Sequence, residues 1–205
     1  MARDGGPARS DRAATARGIR VSLSTIGIRA TRVAMVLALN MILCGALAPP
    51  AAAQVSFGSP GDPPRIAFGA GAFDVTPSTG SRRGGTAAEL RAEYRAGDVL
   101  WFLAPFVGVS GTSDGAFYGY AGLGLDINFT PDLVLTPNAA AGYFARGSGT
   151  HLGSWWEFRT GAELAWRFPD RTRLGVAVHH ISNAGITRRN PGAQSVVLMY
   201  SQPIR

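Results

Sequence analysis

The stretch Trp156-Glu-Phe-Arg-Thr-Gly-Ala-Glu-Leu-Ala-Trp-Arg-Phe168 alternates between large apolar side chains and charged or small ones. In an extended chain every second side chain lies on the same face, so this alternation predicts a β-strand with one apolar and one polar face. Glu157, Arg159 and Glu163 would share the polar face. Charged groups of opposite sign on one face can pair with each other, which allows that face to be buried.

The same alternation recurs along the chain from residue 65 onward. We expect eight strands, separated by short runs of Gly, Pro, Asp, Ser and Thr that favour turns. The expected strands cover residues 65–75, 86–96, 100–110, 116–129, 133–145, 155–168, 172–182 and 194–202. Strands of roughly ten residues with one apolar and one polar face are typical of a transmembrane β-barrel. The predicted fold is therefore all-β, an eight-stranded antiparallel transmembrane β-barrel.

Alternation alone also fits a soluble periplasmic ligand-binding barrel, which would turn the apolar faces inward and the charged faces toward water. The membrane barrel is favoured by an export leader, by the absence of cysteine after it, and by small residues on the polar faces that suit a narrow lumen. It is also favoured by aromatic residues near the strand ends. Those aromatic residues are Trp101, Tyr118, Tyr143, Trp155, Trp156 and Phe168.

Residues 1–53 have the pattern of a signal peptide. Several arginines precede the apolar run of residues 33–48, and Ala51-Ala-Ala53 offers a small-residue cleavage site. The apolar run is shorter than the roughly 20 residues that a membrane-spanning helix needs. We expect residues 54–64 to form an extended lead-in and residues 65–205 to form the barrel. The leader carries seven arginines and two aspartates, hence most of the net charge of +7, so the charge does not indicate nucleic-acid binding.

The stretch Val176-Ala-Val-His-His-Ile-Ser-Asn-Ala-Gly-Ile186 holds the candidate chemistry. On a strand, His180 and Ser182 lie on one face at the end of an apolar stripe, where the imidazole can take the serine proton. Asn183 follows directly, and its amide can donate to a developing oxyanion. A histidine and a serine at this spacing are also common as ordinary surface residues, so the spacing alone is a weak signal.

The next segment favours a functional site at His180 and Ser182. Residues 194–200 alternate as well, and a hairpin symmetric about residue 187 would place Gln194 opposite His180 on the same face. Three polar side chains would then meet at one end of an apolar face. Arg188 and Arg189 lie in the intervening loop, where they can pair with lipid phosphates or simply carry solvated charge.

These residues resemble the C-terminal signature of the outer-membrane lipid A 3-O-deacylases, the PagL-like family. The resemblance rests on His-His-Ile-Ser-Asn-Ala-Gly-Ile, on the Asn190-Pro-Gly192 turn and on the final strand Ser195-Val-Val-Leu-Met-Tyr-Ser201, and residues 156–168 are similar to the preceding strand. It implies that His180 is the general base, Ser182 the nucleophile and Asn183 part of the oxyanion hole. The family has a glutamate twelve residues after the serine, where this chain has Gln194.

The resemblance implies a carboxylic ester hydrolase of the cell outer membrane that needs no cofactor or metal. Its substrate would be lipid A in the lipopolysaccharide of the outer leaflet, from which it would remove the ester-linked acyl chain at position 3. Gln194 predicts weak activity, because a neutral amide stabilises an imidazolium less than a carboxylate does. The alternative is a non-catalytic, structural outer-membrane barrel that retains the signature. We expect a monomer or a homodimer.

Overall fold

The computed structural model describes residues 55–76, 85–97 and 101–204, and the predicted signal peptide lies outside these residues. The described part of the chain contains no helix long and apolar enough to cross a membrane. Its strands are β1 (Ser56–Phe57), β2 (Arg65–Phe73), β3 (Ala87–Arg95), β4 (Leu103–Thr112), β5 (Phe117–Leu125), β6 (Ile127–Asn128), β7 (Leu133–Ala145), β8 (Trp156–Arg167), β9 (Arg173–Ser182) and β10 (Ala193–Pro203).

The eight long strands close into a barrel. Each pairs antiparallel with its neighbours in the order β2, β3, β4, β5, β7, β8, β9, β10, and β10 pairs back onto β2. All eight expected strands are present, and their observed ends lie within a few residues of the expected ones. The predicted eight-stranded antiparallel barrel is confirmed.

The fourth expected strand is interrupted at Asp126, which divides it into β5 and β6. Both pieces pair with β7, at Gly124 with Asn138 and at Ile127 with Leu135, so the register continues across the break. Pro137 lies between these β7 positions and has no N–H to donate to the ladder, which accounts for the interruption.

The predicted lead-in is partly a strand. Ser56 and Phe57 pair with Asn128 and Ile127, so that β1 lies beside β6. Gly58 N also donates to Asp126 O at 2.7 Å. The segment before the first barrel strand is therefore held against the end of the barrel.

Apolar side chains cover the outer wall. Leu90 is 69% exposed and Leu198 is 56% exposed, although both lie in the middle of their strands. On β3, Glu89 and Glu93 point the other way and are buried. An apolar outside around a polar inside is the arrangement of a transmembrane barrel. The alternative of a soluble barrel with the opposite faces is therefore rejected.

Ion pairs fill the lumen at two levels. At the end of the barrel where β2 begins, Arg173 donates to Asp62 and Asp126 at 2.8 and 2.6 Å. Closer to the other end, Arg91 donates to Glu89 at 2.6 Å. These five side chains are all buried. Because a buried charge is costly without a partner, pairing inside the lumen, within a strand or between strands, is what makes the charged faces compatible with burial.

Between these levels, Glu93 is the centre of a larger network. Its two oxygens accept hydrogen bonds from Arg95 at 2.8 Å and from Arg159 at 2.9 Å, and Tyr120 adds a third at 2.8 Å. Arg95 also bonds to Glu163 at 2.6 Å. The lumen is thus a packed polar core, as expected for a narrow eight-stranded barrel.

The aromatic residues expected near the strand ends are exposed on the outer wall or its rim, with one exception. Trp101, Tyr143, Trp155 and Trp156 are exposed, and so is Phe168. Tyr118 was predicted to join them, and that prediction is wrong. It is buried in the lumen, where its hydroxyl donates to Glu157 O at 2.9 Å, because position 118 has the inward parity of β5.

The two ends of the barrel differ. At the end where β2 begins and β10 finishes, residues 129–132 and 168–172 form short turns. At the opposite end, residues 146–155 and 183–192 form longer loops. In outer-membrane barrels the short turns face the periplasm and the longer loops face outward.

Candidate active site

His180 and Ser182 lie on the outer wall at the loop end of β9. The strand alternates strictly, with Val176 and Val178 exposed on the same side as His180, while Ala177 is buried in the lumen. His180 is exposed and Ser182 is half-buried. The shared face expected from the sequence is therefore the lipid-facing one, with the polar pair near its edge.

Gln194 lies directly opposite His180 in the β9–β10 ladder, as the symmetric hairpin predicted. Its side-chain Nε2 donates to His180 Nδ1 at 3.2 Å. Its Oε1 accepts a hydrogen bond from the Thr76 hydroxyl. Thr76 is brought there by the extension of β2 beyond the ladder, where Val75 N donates to Gln194 O at 3.0 Å.

The amide orientation decides which nitrogen of His180 carries the proton. When Gln194 donates to Nδ1, the neutral ring keeps its proton on Nε2 and cannot accept one there. A half-turn of the amide exchanges the roles: Oε1 accepts from Nδ1–H, and Nε2 of the amide donates to the Thr76 hydroxyl. A hydroxyl can donate or accept, so Thr76 can support both orientations.

Ser182 is not bonded to His180. Its hydroxyl makes no hydrogen bond to any residue in the described ranges, although the two side chains share a face two residues apart. In the neighbouring strand it lies opposite Phe158, and His180 lies opposite Thr160. The structure thus joins His180 to Gln194 and leaves the serine hydroxyl without a partner. Bonds between catalytic groups are often long before substrate binds, so this does not exclude a catalytic role.

Asn183 is fully buried, and its side chain is already engaged. Its Nδ2 lies within hydrogen-bond distance of Leu152 O at 3.0 Å, Thr187 Oγ1 at 3.0 Å and Arg189 O at 2.8 Å. Its Oδ1 accepts from Gly185 N at 3.0 Å. In this conformation the amide has no hydrogen left for an oxyanion, and the residue instead joins the loops 146–155 and 183–192.

The backbone beside Asn183 offers a different donor. Ala184 has a positive φ of 53°, and the turn that follows uses Gly185 N and Ile186 N, both of which donate to Asn183 oxygens. Ala184 N–H donates to no acceptor in the part of the chain that the structure describes. It is two residues from Ser182, at the edge of the outer wall.

The loop after Asn183 packs against the histidine. Gly192, the end of the predicted Asn190-Pro-Gly192 turn, has a φ of 66°, and a Cβ there would lie 2.6 Å from His180 Cε1. Asn190 accepts a hydrogen bond from Asn183 N at 3.1 Å. Only glycine at position 192 leaves room for the imidazole in its observed place.

The two arginines of this loop differ in their contacts. Arg188 is exposed, and its guanidinium has no ion pair within the described residues. Arg189 is also exposed, and its Nε donates to His151 O at 3.0 Å. Both therefore remain on the outer side of the barrel end, where an anionic group could reach them.

A cleft of about 410 Å³ opens beside this loop. Buried Phe144 and Leu152 contribute apolar walls. The remaining lining residues are Arg146, His151, Gly153, Ser154, Trp155 and Thr187. Neither this cleft nor Thr76 was expected from the sequence. The residues concerned come from loops far apart in the chain, and no local motif marks them.

The chain is similar to known proteins in both sequence and fold. Residues 78–203 match the family model described as lipid A 3-O-deacylase (PagL). No curated protein matches the chain. Among solved structures, the crystal structure of the outer membrane enzyme PagL is 20% identical with a TM-score of 0.56, and the match covers 68% of this chain and 99% of that one. This likeness shows the same barrel fold.

Two further structures match less well. A de novo designed transmembrane β-barrel is 14% identical with a TM-score of 0.49, covering 72% of this chain and 99% of that chain. The outer membrane protein Ail of Yersinia pestis, in a phospholipid bilayer nanodisc, is 13% identical with a TM-score of 0.40, covering 67% and 99%.

Proposed function

We propose that this chain, which belongs to the PagL family of lipid A 3-O-deacylases, hydrolyses the ester-linked acyl chain at position 3 of lipid A in the outer membrane. One observation carries the proposal. An imidazole held by a hydrogen-bonded partner stands on the lipid-facing wall, two residues from a serine, at the loop end of the barrel. Polar groups are costly at the bilayer centre, so a pair at this edge fits the depth at which the ester bonds of lipids lie.

The proposed reaction is acyl transfer to serine followed by hydrolysis. His180 Nε2 takes the proton of Ser182 as its oxygen attacks the ester carbonyl carbon. The negative charge develops on the carbonyl oxygen, and we assign its stabilisation to the backbone amide of Ala184. The intermediate collapses as its bond to the sugar oxygen breaks, and His180 gives the proton to that oxygen, which leaves as a hydroxyl. Water, deprotonated by the same imidazole, then attacks the acyl-serine. The acyl–serine bond breaks, the fatty acid is released, and His180 returns the proton to the Ser182 oxygen.

Asn183 enters this proposal as a positioning residue. Its side chain fixes the turn that begins at Ala184, because it bonds to Leu152 O and Arg189 O at once. A fixed turn holds the Ala184 amide beside the serine, so that little reorganisation is needed when the charge develops.

Gln194 sets the strength of the base. In serine proteases, replacing the orienting aspartate with asparagine lowers kcat about 10⁴-fold, because the ring is held in the wrong tautomer. Gln194 can avoid part of that loss by the amide half-turn that Thr76 permits. It still lacks the charge that stabilises an imidazolium, so we expect a slow enzyme.

The test is the lipid A of cells that express the protein. Wild-type protein should remove one ester-linked hydroxyacyl chain, seen by mass spectrometry as the corresponding loss of mass. Ser182→Ala should leave lipid A intact while folding normally, and Ser148→Ala, in an exposed loop, should behave like wild type. Retained activity in Ser182→Ala would reject the serine mechanism.

A second candidate is a non-catalytic barrel. The amide at position 194 and the serine without a bond to His180 favour it. In that case wild-type protein would leave lipid A unchanged, in cells and after reconstitution with purified lipid A.

A further inference from the structure

We propose that the cleft between the loops 146–155 and 183–192 binds a phosphate-bearing sugar, with Arg146 and His151 as its anion-binding residues. The proposal rests on the proposed function, since the sugar would be the headgroup of the lipid whose ester meets Ser182. It adds a binding site separate from the hydrolytic residues.

The shape of the cleft fits a small polar ligand. Its volume of about 410 Å³ falls in the range of roughly 300–1,000 Å³ that small-molecule sites occupy. Phe144 and Leu152 supply buried apolar surface, whereas Ser154 and Thr187 supply hydroxyl groups. A mixed lining of this kind suits a sugar ring, which has apolar faces and polar edges.

The charge of the cleft selects for an anion. The Arg146 guanidinium is exposed and makes no hydrogen bond or ion pair with any described residue. No carboxylate lines the cleft. The acids that contact the same loop have partners of their own: Asp74 accepts from Thr150 at 2.6 Å, and Glu157 accepts from Ser154 N at 3.3 Å. Asp114 is half-buried against Gly149, and its carboxylate accepts from the Thr112 hydroxyl. An arginine with all its donors available is well suited to bind phosphate through two parallel hydrogen bonds.

The walls of the cleft are tied to the serine. Asn183, the residue after Ser182, donates to the carbonyl of Leu152 and to Thr187, and both of these residues line the cleft. The two loops also touch closely at Gly153, where a Cβ would lie 1.8 Å from Arg189 O. A ligand in the cleft is therefore held at a fixed position relative to the nucleophile.

The outer wall next to the cleft carries aromatic side chains. Trp155 lines the cleft and packs against Tyr143 with ring centroids 6.4 Å apart, and Tyr143 pairs with Trp156 in the ladder. Aromatic residues at this level mark the interface between headgroups and hydrocarbon. A headgroup above this belt and an acyl chain below it would place the ester between them, at the level of Ser182.

The experiment uses the folded Ser182→Ala protein in detergent, so that binding is read without turnover. The probes are an acyl-free phosphorylated glucosamine disaccharide, its dephosphorylated counterpart, and inorganic phosphate alone, each followed by calorimetric titration. We expect the phosphorylated sugar to bind, and Arg146→Gln to weaken it at least about ten-fold because a charge-assisted pair is lost. His151→Ala should weaken it in the same direction. Arg171→Gln, which removes an arginine at the opposite end of the barrel, should bind normally.

Each outcome decides the proposal. Equal affinity in the parent and in Arg146→Gln would overturn it, and so would equal affinity for the dephosphorylated sugar. Inorganic phosphate that binds as tightly as the phosphorylated sugar would show a bare anion site and reject the sugar. If wild-type protein deacylates lipid A but Arg146→Gln leaves the affinity for the phosphorylated disaccharide unchanged, only this inference fails. If Arg146→Gln weakens that affinity but wild-type protein has no deacylase activity, only the proposed function fails.

Discussion

At the scale of single residues, the proposed mechanism depends most on the contact between Gln194 and His180. The amide donates to Nδ1 at 3.2 Å and is held from behind by Thr76. The amide is neutral, and a half-turn of its side chain exchanges its donor and its acceptor. A carboxylate would accept from Nδ1–H in every orientation. The tautomer of His180 is therefore set by a hydrogen bond that reverses when the Gln194 amide flips.

Gln194→Glu should raise kcat by at least about ten-fold with KM nearly unchanged, because it fixes the base-competent tautomer and stabilises the imidazolium. The measurement is the initial rate of acyl release from purified lipid A. Thr76→Val, which removes the hydroxyl, should lower kcat in the protein with Gln194. Thr76→Ser, which keeps the hydroxyl, should have the wild-type kcat. An unchanged rate in Gln194→Glu would show that position 194 does not orient the base.

The sequence predicts some of these residues and not others, for a physical reason. The face shared by His180 and Ser182 follows from strand alternation, which depends only on the local backbone. The position of Gln194 follows from hairpin symmetry. The side chain of Asn183, by contrast, is directed by a carbonyl at Leu152, and Thr76 by the β2–β10 closure. Contacts between distant loops have no local signal in the chain.

At the scale of elements, the loop 183–192 is a folded unit with Asn183 at its centre. One buried amide satisfies carbonyls from two loops and the Thr187 hydroxyl. The hairpin register of β9 and β10 was predictable from their alternation. The β1 strand and the break at Asp126 were not, because the first depends on pairing with a distant segment and the second on Pro137 in the neighbouring strand.

Asn183→Ala should open this loop. Losing the donor leaves the buried carbonyl of Leu152 unpaired, whereas Arg189 O keeps the Thr187 hydroxyl. An unsatisfied buried polar group costs about 1–3 kcal/mol. We expect faster proteolysis within residues 183–192 together with a lower kcat. Ile186→Ala, which changes an exposed side chain in the same loop, should be cleaved by protease at the wild-type rate. A lower kcat with unchanged proteolysis would instead indicate direct contact between the Asn183 side chain and the oxyanion.

At the scale of the whole molecule, the barrel is stabilised by the ion pairs across its lumen as well as by the lipid outside. Alternation predicts which charges point inward but not which pairs form, because that depends on the stagger of strands around the closed wall. Glu93 illustrates this, since its partner Arg159 lies 66 positions away on β8.

Glu93→Gln should destabilise the barrel by about 3–5 kcal/mol, because it leaves the buried Arg159 guanidinium without its counter-charge. The measurement is equilibrium urea unfolding in lipid vesicles, followed by tryptophan fluorescence. Arg171→Gln removes a half-exposed arginine from buried Asp62, which keeps Arg65 and Arg173 as partners, so it should cost only about 0–1 kcal/mol. Equal losses in the two variants would show that water screens the lumen as effectively as the surface.

The pairing of β10 with β2 closes the barrel wall. Thr76 follows β2, Gln194 lies near the start of β10, and His180 lies on β9, on the other side of β10 from β2. Gln194 and His180 meet within the β9–β10 hairpin, whereas Thr76 reaches Gln194 only across the seam. A nascent or half-inserted chain therefore lacks the Thr76 contact that holds the Gln194 amide, and under the proposed mechanism the base would be fully supported only after the wall has closed.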